Sequence, residues 1–124
     1  MFYGFTEDEQ AFVDVAKEYA ERRLAPLAGA SEPDETLARA ISKELAALGF
    51  VGMCLPEKFG GAGATRVQYA AVIETLSTVT GEFNTAISKS NMDGNALVRY
   101  GSPYLQEKYL PRMIRGEIIP ATAL

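Results

Sequence analysis

The residues from Gly101 to Leu124 read GSPYLQEKYLPRMIRGEIIPATAL, and this stretch says most about how the chain folds. Ser102 followed by Pro103 predicts the start of a helix, because the hydroxyl can cap a free backbone amide and proline has no amide to leave unpaired. Gly116 is a natural end for that helix. Apolar side chains recur at i, i+4 and i+8 and predict its buried side: Leu105, Tyr109 and Met113.

Two features of the same stretch bear on its shape. Pro111 lies inside the predicted helix and removes a hydrogen bond to the carbonyl of Glu107, so we expect a bend there. Beyond the helix an extended run begins at Ile118 and reaches Leu124. A helix that leads into a strand and stops there indicates a chain cut off at the start of a further domain.

Capping signals and apolar periodicity predict two helices in the first half of the chain. The pattern Thr-x-x-Glu from Thr6 is a capping box, and the helix that follows is expected to end near Leu24, before a proline. A second helix begins within residues 34–36 and ends at Gly49, with Phe50 packing back on it in a Schellman motif. Four residues at helical spacing predict its apolar stripe: Leu37, Ile41, Leu45 and Leu48.

Two more helices are predicted between these and the final one. Thr65 opens a second capping box, and the third helix is closed by Gly81. The fourth runs from about Phe83 to Tyr100. The buried side of the third helix is predicted to be Tyr69, Val72, Ile73 and Leu76. Five helices with short connections predict an all-α fold, a helical bundle.

The glycine-rich segment LPEKFGGAG at residues 55–63 suggests a phosphate-binding loop at first sight. Its spacing fits neither the dinucleotide fingerprint nor the Walker loop, and no Lys-Ser or Lys-Thr pair follows. The sequence therefore favours a tight connection between helices that depends on glycine for its turns.

Composition excludes several classes of function. A hydrophobic share of 48% in 124 residues favours one packed domain over disorder, and a net charge of −4 argues against a nucleic-acid partner. The chain has no histidine, which removes the usual general base and the commonest zinc ligand. Cys54 is the single cysteine, so no disulfide framework or metal site is expected, and it is interpreted as a core residue.

The sequence also bears on the compartment. No apolar run approaches the length of about 20 residues that a membrane-spanning helix needs. The acidic residues at positions 7–9 do not fit a signal or transit peptide. A cytoplasmic location is the expectation.

Several motifs occur together in one order along the chain, and as a set they resemble the acyl-CoA dehydrogenase family. The later ones are the helix opening at Gly101, Lys108-Tyr109-Leu110-Pro111, Gly116-Glu117 and Thr122-Ala123-Leu124. The earlier one is Pro56-Glu57 with an aromatic residue, Gly60-Gly61, a spacer and Gly63. The resemblance implies that residues 1–116 are the helical amino-terminal domain and that residues 117–124 begin a β domain that is missing.

The same resemblance implies a function, the flavin-dependent α,β-dehydrogenation of an acyl-CoA thioester in fatty acid metabolism. The family's carboxylate base lies in a carboxy-terminal domain, so no catalytic residue is expected in this chain, and no metal. Thr122 and Leu124 are implied to touch FAD at the edge of its site, mainly through the backbone. A homo-oligomer or a partner chain is implied, and these 124 residues alone are expected to be inactive and to hold FAD poorly.

The fourth helix has two faces that invite different interpretations. Its predicted core side is Phe83, Ala86, Ile87, Ser90, Gly94, Leu97 and Val98, and its opposite side is Ser88, Met92, Asn95 and Arg99. The opposite side is either an ordinary solvated surface or, by the resemblance, a wall of the acyl pocket with Ser88, Lys89 and Met92 as substrate-binding residues. The polar residues Ser88, Lys89, Asn91 and Asp93 depart from the apolar lining of fatty-acyl members and argue against a long unbranched substrate. A shorter or more polar acyl group and a shifted register are the alternatives.

Two further functions stay open at this point. The chain could be a non-catalytic partner subunit, or a helical module that binds a partner helix in a groove. We also expect an exposed apolar patch from the fourth helix, the fifth helix and the tail, because the family's first domain packs against other domains.

Overall fold

The structure is a computed structural model that describes residues 4–29 and 34–123. Within these residues it contains five α-helices and no strand, which confirms the prediction of an all-α bundle. The helices are α1 (Glu7–Tyr19), α2 (Glu35–Ala47), α3 (Arg66–Ser77), α4 (Thr85–Tyr100) and α5 (Pro103–Ile114). The prediction for Leu124 lies outside the described residues.

The predicted helix starts are confirmed. The hydroxyl of Thr6 accepts from the amide of Glu9 while the Glu9 carboxylate accepts from the amide of Thr6, and Thr65 and Gln68 form the same reciprocal pair at α3. The Ser102 hydroxyl caps α5. Each cap satisfies backbone amides that the first turn of a helix leaves without a partner.

The end of the first helix differs from the prediction. α1 stops at Tyr19, but the chain continues through a π-helical turn, Ala20–Leu24, and a 3₁₀ turn, Ala25–Leu27. Pro26 therefore lies within helical backbone instead of after it, in the first turn of the 3₁₀ segment, where its missing N–H costs no hydrogen bond. Leu24 is fully buried in the core as a result.

The end of α2 is the Schellman motif that the sequence predicts. Gly49 has a φ of +82°, its amide donates to the carbonyl of Ala46, and the amide of Phe50 donates to the carbonyl of Leu45. Phe50 is fully buried, whereas Leu48, predicted as part of the stripe, is 37% exposed. The prediction for Leu48 is wrong because the motif places Phe50 over that end of the helix.

The other predicted glycine ends divide into two kinds. Gly116 has a φ of +67° and ends α5 with the same hydrogen-bond pattern as Gly49. Gly101 caps α4 in an extended conformation. Gly81 does not close α3, which ends at Ser77, because the turn that follows Ser77 has its own hydrogen bonds before the glycine is reached.

Two clusters of apolar side chains form the interior. The larger one joins α1, α2, α3, the first part of α4 and the segment after α2, with α1 packed along α3. The smaller one lies between α4, α5 and the residue 55–63 segment, and its buried members are Leu55, Leu110 and Met113. Leu105, predicted to face the core, is 37% exposed, so the buried stripe of α5 is rotated toward Leu110.

The segment between α2 and α3 is built from turns. The amide of Gly63 donates to the carbonyl of Leu55, and the amide of Ala64 donates to the carbonyl of Met53, which closes the loop on itself. A Cβ at Gly61 would overlap the Leu55 carbonyl, so that position requires glycine. Phe59 packs on the smaller cluster. The segment is a structural connection, as the sequence favours.

Candidate functional site at the meeting of α4 and the tail

The outward side of α4 carries the three residues that the sequence nominates for substrate. Met92 is 54% exposed. Ser88 and Lys89 are half-buried, and neither belongs to the core. The Ser88 hydroxyl donates to the carbonyl of Thr85 on its own helix, at 3.3 Å. This side of α4 therefore presents a thioether and an ammonium to its surroundings, while the Ser88 hydroxyl is already engaged.

The tail, residues 117–123, returns to this side of α4. The Lys89 ammonium donates to the Thr122 hydroxyl at 3.2 Å, and that hydroxyl lies 2.9 Å from Oδ1 of Asp93. An ammonium can only donate and a hydroxyl has one hydrogen, so Thr122 donates that hydrogen to Asp93. These two hydrogen bonds are called the Thr122 bridge below. The sequence nominates Lys89 and Thr122 separately, and the structure brings them into contact.

The backbone of the tail is open. In the described part of the chain, the amides of residues 118, 119 and 121–123 make no backbone hydrogen bond, Pro120 has no N–H, and residues 121–123 are exposed. The Thr122 hydroxyl donates its one hydrogen to α4 and accepts from α4 with one of its two lone pairs. A ligand beside the tail would therefore meet unpaired backbone amides and a hydroxyl that has no hydrogen left to donate.

Ion pairs hold the first residue of the tail, where the chain leaves α5. Glu117 pairs with Arg115 at 2.6 Å and with Arg112 at 3.5 Å. The hydrogen bond from Arg115 lowers the pKa of Glu117. The amide of Glu117 also donates to the carbonyl of Arg112. The direction of the tail is thus set at its first residue.

Asp93 has an unusual environment for a carboxylate. Its Oδ1 accepts from Thr122, but its Oδ2 is shut off from solvent and has no hydrogen-bond partner among the described residues. Lys89 lies one helical turn earlier, yet no ion pair joins the two within 4.0 Å, because the Thr122 hydroxyl stands between them. A carboxylate oxygen removed from water and left unpaired calls for an explanation.

Asn91, which the sequence groups with the polar residues of the acyl wall, belongs to the core instead. It is 1% exposed, and its amide oxygen accepts from the amide of Cys54 at 2.8 Å. Its nitrogen donates to the carbonyls of Ile87 and Phe50. The prediction groups Asn91 with Lys89 and Asp93 as polar departures in the acyl wall. Its spacing of four from Ile87 and three from Gly94, both on the predicted core side, is the available signal.

Cys54 itself is half-buried, and burial raises the pKa of its thiol, which disfavours the reactive thiolate. No group of three metal-ligating side chains occurs among the described residues. None of the helices in that part of the chain is both long and apolar enough to cross a membrane.

A concave surface lies elsewhere. It has a volume of about 400 Å³ and is lined by residues of α1, the π-helical turn and α3, among them Lys17, Glu21 and Glu74. No residue of α4 or the tail lines it. It is therefore separate from the surface formed by α4 and the tail.

Comparison with known proteins identifies the fold. Residues 6–117 match the family described as "Acyl-CoA dehydrogenase, N-terminal domain". The chain belongs to the acyl-CoA dehydrogenase family. It represents the N-terminal domain of such proteins, as its all-helical structure indicates.

Two acyl-CoA dehydrogenase relatives illustrate the match. The chain is 33% identical over 121 residues to 3-(aryl)acrylate reductase of Clostridium sporogenes, a match covering 97% of this chain and 32% of that protein. It is 31% identical over 121 residues to the mitochondrial isobutyryl-CoA dehydrogenase of Dictyostelium discoideum, a match covering 98% of this chain and 29% of that protein. The chain therefore spans about 30% of the length of the relatives it matches.

Solved structures give the same result. Glutaryl-CoA dehydrogenase from Mycobacterium smegmatis superimposes with a TM-score of 0.82 at 27% identity, covering 93% of this chain and 30% of that one. The structure of that enzyme in complex with FADH2 superimposes with a TM-score of 0.80 at 26% identity and the same coverage.

Proposed function

We propose that this chain forms the amino-terminal wall of a flavin-dependent oxidoreductase that acts on the α,β carbon–carbon bond of an acyl-CoA thioester. Family membership supplies the reaction class. The observation that carries the proposal is the Thr122 bridge, which holds the tail against the side of α4 that bears Lys89 and Met92. The acyl wall on α4 and the flavin edge on the tail then lie side by side on one surface.

In this proposal the residues of α4 line the acyl group. Met92 offers an exposed, adaptable apolar surface. Ser88 and Lys89 flank it and make this wall more polar than a lining for a long unbranched chain. The substrate is accordingly a shorter or more polar acyl thioester.

The tail forms the edge of the FAD site. FAD, when bound, accepts the hydride that leaves the β carbon of the substrate. Backbone groups of Thr122 and, beyond it, Leu124 would lie along the flavin. The fit rests on the open amides of the tail, which can donate to a ligand, and on the Thr122 hydroxyl, whose hydrogen is already donated to Asp93.

This chain supplies no catalytic base. Among the described residues, each carboxylate of the α4–tail surface already has a partner. Asp93 accepts a hydrogen bond from Thr122, and Glu117 forms ion pairs with Arg112 and Arg115. A base for the α proton must reach that proton directly. We therefore propose that the base and most of the FAD site come from other domains or another copy, so that these 124 residues alone are inactive.

The exposed apolar side chains fit a domain that packs against others. Met92 on α4, Tyr100 and Tyr104 near the α4–α5 connection, and Ile119 in the tail are all exposed. A contiguous apolar surface on the order of a few hundred Å² marks a contact site for other domains or copies, and we propose that these side chains belong to one. We propose a homo-oligomer or partner chain on this side, and a cytoplasmic location.

The decisive experiment is a chimera. The matching amino-terminal segment of the M. smegmatis glutaryl-CoA dehydrogenase is replaced by this chain, and the purified product is examined for retained FAD and assayed with short and medium acyl-CoAs. One relative is a reductase by name and another a dehydrogenase, so both directions are measured. Turnover supports the proposal, and a folded chimera that retains FAD without turnover in either direction contradicts it.

A second measurement covers the case of a chimera that does not fold. The 124-residue chain is mixed with FAD and gel-filtered, and the visible absorbance of retained flavin is recorded, followed by the same assays. We expect neither stoichiometric flavin nor turnover. Either result from this chain alone would mean that it contains a complete site, and would overturn the proposal that it forms one wall.

A further inference from the structure

The tail has few attachments to the rest of the molecule. Its first residue is held by Arg112 and Arg115, and Ile118 packs on the smaller core cluster. Beyond Ile118, the amides of the described residues make no backbone hydrogen bond, and Ile119 is 43% exposed. The end of the tail is therefore held by side chains or not at all.

The Thr122 bridge supplies that attachment. Hydrogen bonds to a charged group are shorter and stronger than those between neutral groups, and Thr122 makes one to an ammonium and one to a carboxylate. Lys89 and Asp93 are four residues apart on α4, so both project from the same side of a rigid helix. The two bonds together constrain both the position and the orientation of the hydroxyl.

The environment of Asp93 favours this role. Its Oδ2 is closed to solvent, so the carboxylate has one described protein donor, the Thr122 hydroxyl. A carboxylate that has lost water on one oxygen gains more from the hydrogen bond on the other. The bridge therefore depends on Asp93 more than on Lys89, whose hydrogen bond to Thr122 is exposed to solvent.

We propose that Asp93 is a positioning residue that acts through Thr122. It holds the end of the tail against α4, so that the backbone of residues 121–123 is fixed beside the acyl wall. The consequence for the flavin rests on the proposed function, because the flavin edge is assigned there. The attachment of the tail does not rest on it and is measured without any flavin.

The test uses ¹⁵N-labelled chain and the heteronuclear ¹H–¹⁵N NOE of the tail amides. In the wild type we expect the amides of residues 121–123 to approach the values of α5. Thr122→Val keeps the shape of the side chain and removes both hydrogen bonds, so these NOE values should fall to those of a frayed end. Thr122→Ser keeps the hydroxyl and should retain them.

Substitutions on α4 distinguish the contribution of Asp93 to the Thr122 bridge from that of Lys89. Asp93→Ala should release the tail as fully as Thr122→Val, and Lys89→Met should lower the NOE values less. Asn95→Ala, on the same helix and outside the bridge, is the matched control and should leave the tail unchanged. The NOE values of the α4 amides show in each variant that the helix is intact.

Two results would overturn the proposal. A tail as mobile in the wild type as in Thr122→Val would mean that the bridge does not hold it, and a tail as ordered in Asp93→Ala as in the wild type would mean that Asp93 is not the support. Either leaves the proposed function standing, since the chimera tests that separately. The two proposals can also fail separately in the other direction. If the NMR shows an ordered tail but the folded, FAD-containing chimera is inactive, the proposed function is contradicted and the positioning role of Asp93 stands.

The proposed contact between the tail and the flavin is tested by a separate measurement. In the chimera, Thr122→Val should weaken retention of FAD on gel filtration and shift the visible flavin spectrum, and Thr122→Ser should do neither. An unchanged spectrum and retention in Thr122→Val, with a tail that is released by NMR, would show that the tail is positioned by Asp93 but does not border the flavin.

Discussion

The amide oxygen of Asn91 accepts a hydrogen bond of 2.8 Å from the backbone N–H of Cys54, across 37 residues of sequence. The nitrogen of the same side chain donates to the carbonyl of Ile87 at 2.8 Å and to that of Phe50 at 3.4 Å. A segment built from turns has few backbone partners of its own, so this buried side chain supplies them. Asn91 joins α4 to the connection between α2 and α3.

Replacing Asn91 by alanine should therefore destabilise the fold strongly. The change leaves the buried amide of Cys54 and the carbonyl of Phe50 without their partner and opens a cavity, and we expect a loss of about 2–4 kcal/mol in the free energy of unfolding. Asn95→Ala is the matched control on the same helix and should stay within about 0.5 kcal/mol of the wild type. Urea denaturation measures both, and equal losses would contradict the role of Asn91.

The reason this contact was missed is general. Periodicity assigns residues to a face by their polarity, and Asn91 is polar, so it was grouped with Lys89 and Asp93. The backbone groups that make its burial favourable lie in another part of the chain and carry no sequence signal of their own. A buried polar side chain is predictable only once the segment that it satisfies is in place.

Gly49→Ala tests the end of α2. The residue has a φ of +82°, and an added Cβ would have no heavy atom within 4 Å, so the cost is that of the backbone conformation alone. We expect a loss of about 1 kcal/mol in the free energy of unfolding. Gly81→Ala is the control, since that glycine also has open space around it and lacks a positive φ. A melting curve unchanged by Gly49→Ala would mean that the Schellman motif contributes nothing.

Local features of this fold were predictable and the packing of helices was less so. The capping boxes at Thr6 and Thr65 and the motif at Gly49 involve residues within about five positions of each other, so a short window contains all the information. The buried side of α5 depends on where α4 and the residue 55–63 segment lie. That is why Leu110 and not Leu105 fills the core.

A third prediction concerns acid. Glu44 accepts from both Nε and Nη2 of Arg23 and from the hydroxyl of Tyr19. The hydrogen bond from Arg23 lowers the pKa of Glu44 below its ordinary value. A lowered pKa in the folded state means that the ionised pair stabilises the fold above the unfolded pKa of about 4.3. That contribution is lost as the pH falls through the lower pKa of the folded state.

Glu44→Gln should therefore be less stable than the wild type at neutral pH and approach it as the pH falls below about 4. Both side chains of the pair are about a third exposed, so screening limits the difference to about 0.5–1 kcal/mol. Glu18→Gln, which breaks an exposed pair with Arg22, is the control and should change little. If the difference in the free energy of unfolding between Glu44→Gln and the wild type persists at low pH, packing and not charge accounts for it.

The sequence nominates two residues of the Thr122 bridge but not the contact between them. Lys89 and Thr122 are 33 positions apart, and the sequence assigned them to different ligands without a reason to place them together. Their contact depends on the return of the tail, which Glu117 directs through Arg112 and Arg115. Asp93, which completes the bridge, was recognised only as a polar exception on α4.

The last prediction concerns the corner between α4 and α5. The side-chain nitrogen of Gln106 lies 3.0–3.1 Å from three carbonyl oxygens at the end of α4, those of Leu97, Val98 and Gly101, and its two hydrogens are shared among them. The Leu97 carbonyl also accepts from the amide of Gly101, whereas those of Val98 and Gly101 lie beyond that last helical hydrogen bond. For them this side chain acts as a cap supplied by the next helix. Gln106→Ala should lower the free energy of unfolding by about 1 kcal/mol.

A carboxylate at the same position separates hydrogen bonding from packing. Gln106→Glu keeps the shape but faces the three carbonyls with oxygens that have no hydrogen to donate, so at neutral pH it should destabilise the fold more than Gln106→Ala. In acid, a protonated carboxyl donates again and part of the loss should return. Glu107→Ala, next to it on the exposed side of α5, is the control. Thermal unfolding at pH 7 and in acid measures all of them, and a Gln106→Glu variant as stable as the wild type at pH 7 would exclude the cap.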